Sequence, residues 1–201
     1  MAAQNRRASI LARQGRMADA RKIIQELPER NPADRRMKLL AEVQLLKEHK
    51  LLREAHDVLA AAVKVEPNDA ELLYEQAMLA EKIGRVDDME ALLRRLIALK
   101  PDYHHAYNAL GYSLAERNQR LPEARQLILK ALEFAPGDPL ISDSLGWVEF
   151  RMGNLPEAAR ILQSAYKAKP DAEIAAHLGE VMWTMGRRDQ ATVIWKEGLQ
   201  L

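Results

Sequence analysis

The chain contains no cysteine, so disulfides, thiolate metal sites and a cysteine nucleophile are excluded at the outset. Aromatic residues are few: three Trp, five Tyr and two Phe among 201 residues. No uncharged apolar run reaches the roughly 20 residues of a membrane-crossing helix, and the first residues carry no apolar core of signal type. Direct membrane insertion is not expected. No alternating Val/Ile/Thr segment occurs, so no sheet is expected. Charge of one sign is lacking too, with 30 Lys and Arg against 29 Asp and Glu. That removes the basic bias that nucleic-acid binding as a main task would bring. Phosphate-binding P-loops, GxSxG elbows, HExxH helices and paired dinucleotide glycines are all missing. No nucleophile stands beside a base in a pattern that suggests catalysis. An enzyme is therefore not expected, nor a cofactor or a metal site.

What is present is helix-forming and periodic. Ala, Leu, Glu, Arg and Gln dominate, all good helix formers. The stretch from Asp138 to Pro170 holds two apolar-periodic runs separated by Gly153-Asn154. Leu145, Trp147, Val148 and Phe150 mark the first; Leu155, Ala158, Ile161, Leu162, Ala165 and Tyr166 mark the second. Both space their apolar residues as one buried helix face requires. Gly153 sits where a left-handed cap costs least, and Pro156 in a first turn where its missing N–H breaks no bond. The segment predicts a helix–turn–helix hairpin, with Gly146 and Ala158 marking the close approach of the two backbones.

This unit recurs. Prolines expected to close a helix stand at Pro32, Pro67, Pro101, Pro136 and Pro170, spaced 35, 34, 35 and 34 residues apart. Ala20, Ala55, Met89, Ala124 and Ala158 each precede one of them by twelve residues. Breaks fall at Gly15, Gly84, Gly153 and Gly186, with Asn118 near the equivalent place in the fourth unit. One extra residue in the segment from Arg117 to Ala124 accounts for the 35-residue spacing there. The second unit departs from the pattern: its first helix is expected from about Arg35 to Glu48, with Glu42 where other units place a small residue. His49 reads as a turn residue and His56 as a helix-surface residue. His104 and His105, about 100° apart on one helix start, cannot both face one metal.

A 34-residue period with Leu-Gly, Gly, Ala and Pro at these offsets resembles the tetratricopeptide repeat family. The resemblance covers nearly the whole chain and implies an all-α, right-handed α-solenoid of about six helix hairpins. A single solenoid domain is expected over 1–201, with repeats near 1–33, 34–68, 69–102, 103–137, 138–171 and 172–201. It further implies that the first helix of each pair lines a concave groove. Carrying the register across by the small residues Ala77, Gly111, Gly146 and Gly179 places Tyr74 and Met78 on that wall, then His105, Asn108 and Tyr112, then Asp143, Trp147 and Arg151, and finally Glu180 and Trp183. Aromatics one repeat apart suit an extended peptide or a helix of a partner protein, since they offer area at little entropic cost. The alternative for Trp147 and Trp183 is that they fill the seams between hairpins. Of the Lys/Asn/Arg clamp by which some members hold a terminal carboxylate, only Asn108 is matched here, so a clamp is not expected.

The last two repeats also resemble those of proteobacterial periplasmic tetratricopeptide lipoproteins. One such group tethers a processing protease and its cell-wall hydrolase substrates at the outer membrane. This implies a protein-binding adaptor in the periplasm or on the periplasmic face of that membrane; the residues themselves assign no compartment. Two other readings stay open. Leu201 falls inside an amphipathic run with no polar helix after it, which suits self-association through the ends of the array. The chain also suits the recognition arm of a larger enzyme. Residues 1–50 hold twelve Lys and Arg against six Asp and Glu, a solvated basic face or a means of steering an acidic partner.

Overall fold

A computed structural model describes residues 2–201, and among these it contains twelve helices and no strand. They are α1 (Ala2–Arg13), α2 (Met17–Gln25), α3 (Pro32–Glu48), α4 (Leu52–Val65), α5 (Ala70–Lys82) and α6 (Val86–Leu99), followed by α7 (His104–Glu116), α8 (Leu121–Phe134), α9 (Pro139–Arg151), α10 (Leu155–Ala168), α11 (Ala172–Thr184) and α12 (Arg188–Gly198). Successive pairs pack as six hairpins.

All six hairpins turn on one hydrogen bond. Gly15, Lys50, Gly84, Asn118, Gly153 and Gly186 have positive φ. The next residue's N–H then reaches a carbonyl five residues back: Arg16 to Leu11, Leu51 to Leu46, Arg85 to Ala80, Gln119 to Leu114, Asn154 to Glu149 and Arg187 to Met182, all at 2.8–2.9 Å. This is the Schellman arrangement, which satisfies a carbonyl orphaned at a helix end. Glycine reaches the left-handed region without strain, and Asn118 is the usual substitute. The fourth turn absorbs its extra residue with a second left-handed residue, Arg120 at φ 44°. The Gln119–Leu114 bond is thereby kept at 2.9 Å.

The prolines divide. Pro67, Pro101, Pro136 and Pro170 lie just past α4, α6, α8 and α10, as expected. Pro32 does not close a helix. It opens α3 at the first helical position, with Asn31 Oδ1 accepting from the Asp34 amide at 2.8 Å. The Asn-Pro pair is a start signal, so α3 begins three residues before the expected Arg35. Asp69, Asp138 and Asp171 cap α5, α9 and α11 in the same way.

The helices gather into two compact units, Met1–Leu99 and Lys100–Leu201. In the first, Ala8, Ala20, Ile24, Leu27 and Leu45 form one apolar cluster. Glu42 is buried at the place where other repeats put a small residue, and Arg21 Nε and Gln25 Nε2 each donate to it at 2.9 Å. His56 is not a surface residue: α5 packs on α4, and the ring is only 2% exposed. The 3.6-residue period that puts Leu59 and Val63 inside also brings His56 within one residue of the buried Ala55.

In the second unit Ala158, Leu162, Leu178, Val181, Met182 and Ala191 form the matching cluster. The small residues of its first helices are where the hairpins close. A Cβ on Gly146 would lie 2.5 Å from Leu162 Cγ, so Leu162 rather than Ala158 is what presses on this glycine. A Cβ on Gly111 would lie 2.8 Å from the Ala124 carbonyl oxygen. At Gly179 the contact is the Trp195 indole, whose Nε1 donates to the Ala176 carbonyl at 3.2 Å.

Candidate functional site

Within the second unit α9 packs against both α7 and α11, so the first helices of three hairpins stand side by side. Counted from the small residue of each helix, the positions six and three before it and one and five after it share a face. These offsets give His105, Asn108, Tyr112 and Glu116 on α7; Leu140, Asp143, Trp147 and Arg151 on α9; and Glu173, Ala176, Glu180 and Thr184 on α11. Eight of the ten residues expected on the wall lie in this unit. Tyr74 and Met78 belong to α5 of the first unit and are half-buried there.

A polar cluster forms the middle of the wall. His177 Nδ1 lies 2.9 and 3.0 Å from the two carboxylate oxygens of Asp143. Its ring stacks on Trp147, with centroids 4.2 Å apart and planes at 20°. Its Nε2 is 3.4 Å from the Tyr112 hydroxyl, which donates to Glu173 at 3.1 Å. Arg151 lies over Trp147 at 5.7 Å, and one of its terminal nitrogens donates to the Glu116 carbonyl at 3.3 Å. Asp143 and His177 are 4% and 8% exposed. Burial pushes the Asp143 carboxyl up from its ordinary range. Burial, the largest single influence, would lower His177, but the hydrogen bond and charge of Asp143 together with the charges of Glu173 and Glu116 outweigh it and raise the imidazole. Burial, followed by the charges of Glu173 and Glu116, also raises Tyr112. A raised phenol held by a raised imidazole is a poor nucleophile. The cluster is suited to holding three helices in register and to presenting hydrogen-bonding groups.

The expected residues are not equally available. His105, Glu180 and Trp183 are exposed, Trp183 by 44%. Asn108, Tyr112 and Arg151 are half-buried. Asp143 and Trp147 are buried, Trp147 to 5%, and both hold the wall together from within. His105 meets His104, ring centroids 4.0 Å apart. Trp183 packs at 5.7 Å on Trp195 and carries Arg188 at 5.0 Å. Phe150 packs against the unit's apolar cluster. Among the described residues no group of three His, Asp or Glu side chains is arranged to hold a metal ion, and no helix is long and apolar enough to cross a membrane.

Sequence reasoning missed His177, Glu173 and Glu116. Glu173 and Glu116 occupy the same offsets as the named His105 and Arg151, so the register alone places them on the wall. His177 stands two residues before its small residue and not three. It meets Asp143 because α11 starts after a linker one residue shorter than the one before α9.

Among the described residues, twelve helices paired through turns closed by the same hydrogen bond define a helical-hairpin repeat protein. The tetratricopeptide repeat profile matches residues 1–35, 40–103 and 84–139, and the chain belongs to that family. It is 41% identical over 178 residues, 89% of its length, to the TPR repeat-containing protein PA4667 of Pseudomonas aeruginosa, and spans 30% of that relative. A thermophilic TPR protein of Thermus thermophilus, TTC0263, superposes with a TM-score of 0.72 at 24% identity, over 82% of this chain and 90% of that one. PilW, a type IV pilus biogenesis factor, superposes at 0.71 and 18% identity, over 79% and 75%. A fragment of MamA from Desulfovibrio magneticus gives 0.66 and 19%, over 81% and 92%. These likenesses establish the all-α solenoid class.

Proposed function

We propose that this chain is a non-catalytic adaptor that docks a polypeptide partner on the wall formed by α7, α9 and α11. The observation that carries the reading is the combination of a rigid base and open side chains on one face. The Asp143–His177–Trp147 stack fixes α9 against α11 and the Tyr112 hydroxyl ties α7 to α11, while the Tyr112 ring, Arg151, Glu180 and the half-exposed Trp183 stay available. Large rings on a pre-ordered surface lose little entropy when a peptide or helix is laid against them. The finer reading, a periplasmic adaptor for a protease, draws on the likeness of the last two repeats to periplasmic lipoproteins.

The test is site-specific photo-crosslinking in the native host, with the crosslinker at Glu180 on the wall or at Lys167 on the opposite helix layer. A partner polypeptide is expected at Glu180 and not at Lys167, and Trp183→Ala should reduce its yield several-fold without lowering the melting temperature. Equal yields at both positions, or yield at Glu180 insensitive to Trp183→Ala, overturn the docking face. Fractionation of the same cells decides the compartment.

A second reading, self-association, is favoured by α12. Val193 on it is 54% exposed. Val193 also lines, with Met182 and Ile194, a cleft of about 380 Å³. A crosslink from Val193 to a second copy of the chain supports this reading.

A further inference from the structure

We infer that the wall takes its partner through a lysine or arginine side chain, seated on the Tyr112 ring between the carboxylates of Glu116 and Glu173. This rests on the wall being the docking face. The carboxylates of the second unit are unevenly matched, and three unmatched ones lie together on the wall. On α8 and α10, carboxylates are matched by cations of the same helix: Glu133 with Lys130 at 2.5 Å and Glu157 with Arg160 at 2.7 Å. On α12, by contrast, Glu197 accepts only the Tyr166 hydroxyl, at 3.4 Å. Glu149, on the back of α9, is held by Arg125 at 2.5 Å. On the wall, among the described residues, Glu116, Glu173 and Glu180 have no ion-pair partner. Glu173 accepts only the Tyr112 hydroxyl. The charged groups of the wall are Glu116 on α7, Asp143 and Arg151 on α9, and Glu173, His177 and Glu180 on α11. Asp143 is already engaged by His177. Arg151 is drawn over Trp147.

The rings of the first helices are unevenly matched as well. Trp147 and Trp183 each carry an arginine of this chain, at 5.7 and 5.0 Å. Tyr112, between two open carboxylates, carries none of the cation contacts found in the structure. A cation over an aromatic face with carboxylates to either side gains ring attraction and charge-assisted hydrogen bonds together.

A second, independent feature indicates a polypeptide as the source of that cation. Trp147 is 95% buried by its 5% exposure, yet its Nε1 has no acceptor, and neither has Arg151 Nε beside it. Unmet buried donors are costly. A backbone laid along the wall beside Arg151 brings carbonyl oxygens to this pair of donors. The occupant is thus a basic segment of a partner polypeptide.

The test is NMR titration of the full chain with N-acetyl-arginine amide and with its uncharged isostere N-acetyl-citrulline amide, repeated on the double variant Glu116→Gln, Glu173→Gln. Both substitutions are at exposed positions and keep side-chain shape. The arginine compound is expected to shift the Tyr112 ring resonances with at least tenfold higher affinity than citrulline, weakening as salt rises, and to lose that advantage in the double variant. Equal binding of the two compounds, or an advantage that survives the double variant, overturns the cage. The docking face is scored separately by the Glu180 crosslink. If that crosslink persists in the double variant at wild-type yield, the cage fails and the face stands; if it is absent from wild type, the face fails as well.

Discussion

Gln76 is polar where its counterparts are not, and His56 stands where two of its counterparts are arginines. Counting from the small residues, Gln76 occupies the place of Leu110, Leu145 and Leu178. His56 corresponds to Arg21 and Arg125, which reach Glu42 and Glu149 at 2.9 and 2.5 Å. Neither Gln76 Oε1 nor His56 Nε2 has a hydrogen-bond partner, and both residues line a cleft of about 360 Å³. An unsatisfied buried polar group costs about 1–3 kcal/mol. Gln76→Leu is therefore expected to stabilise the chain by about 1 kcal/mol in urea unfolding; a loss of stability would mean the carboxamide is satisfied by water. Of the two, only Gln76 is anomalous against the repeat, and it became legible only once the small residues had set the register. His56 was misread because a single histidine on a helix gives no sign of which neighbour will cover it. The burial of Trp147 was undecidable for a related reason. Groove and seam share its offset, and the stacking histidine comes from a helix whose entry is shifted by one residue.

At the scale of the element, the join between α9 and α11 is electrostatic as well as apolar. Asp143 and His177 both hold protons more tightly in the folded chain than in the unfolded one. The native state therefore binds more protons, and the unfolding free energy falls as pH rises. His177 contributes fully below the ordinary imidazole value of 6.5, and this contribution is lost as pH passes through its raised folded value. Denaturant unfolding at a series of pH values from 5.5 to about 8.5 should show a negative slope that His177→Gln flattens. A slope unchanged in the variant would put the proton elsewhere. The groups facing this pair are Tyr112 and Glu116 on α7, Trp147 on α9 and Glu173 on α11. The start of α3 was misjudged because Pro32 was read as the end of a helix. Proline permits both, and the preceding Asn31 decides.

For the whole molecule, the repeating unit is the hairpin, and stability in such arrays resides in each hairpin and its nearest neighbours. Gly111→Ala drives a methyl to 2.8 Å from a backbone oxygen that cannot yield cheaply. It should cost about 2 kcal/mol. Hydrogen exchange should show the loss in α7 and α8, while α1 and α2 keep wild-type protection. Uniform loss across all helices would mean that the chain unfolds as one indivisible body. The family, the all-α class and six hairpins were legible because a 34-residue period repeats the same punctuation. The division at Leu99 and Lys100 was not, since it depends on how densely helices contact one another.

The turn at Asn118 has a practical consequence. It lodges one more residue than its five counterparts and still closes with the same bond, because the surplus falls after the bonded amide. A short tag or fluorophore-bearing segment inserted just after that amide, between Gln119 and Leu121, should therefore leave the flanking helices undisturbed. This gives a built-in attachment point for reporting on the second unit without touching its wall.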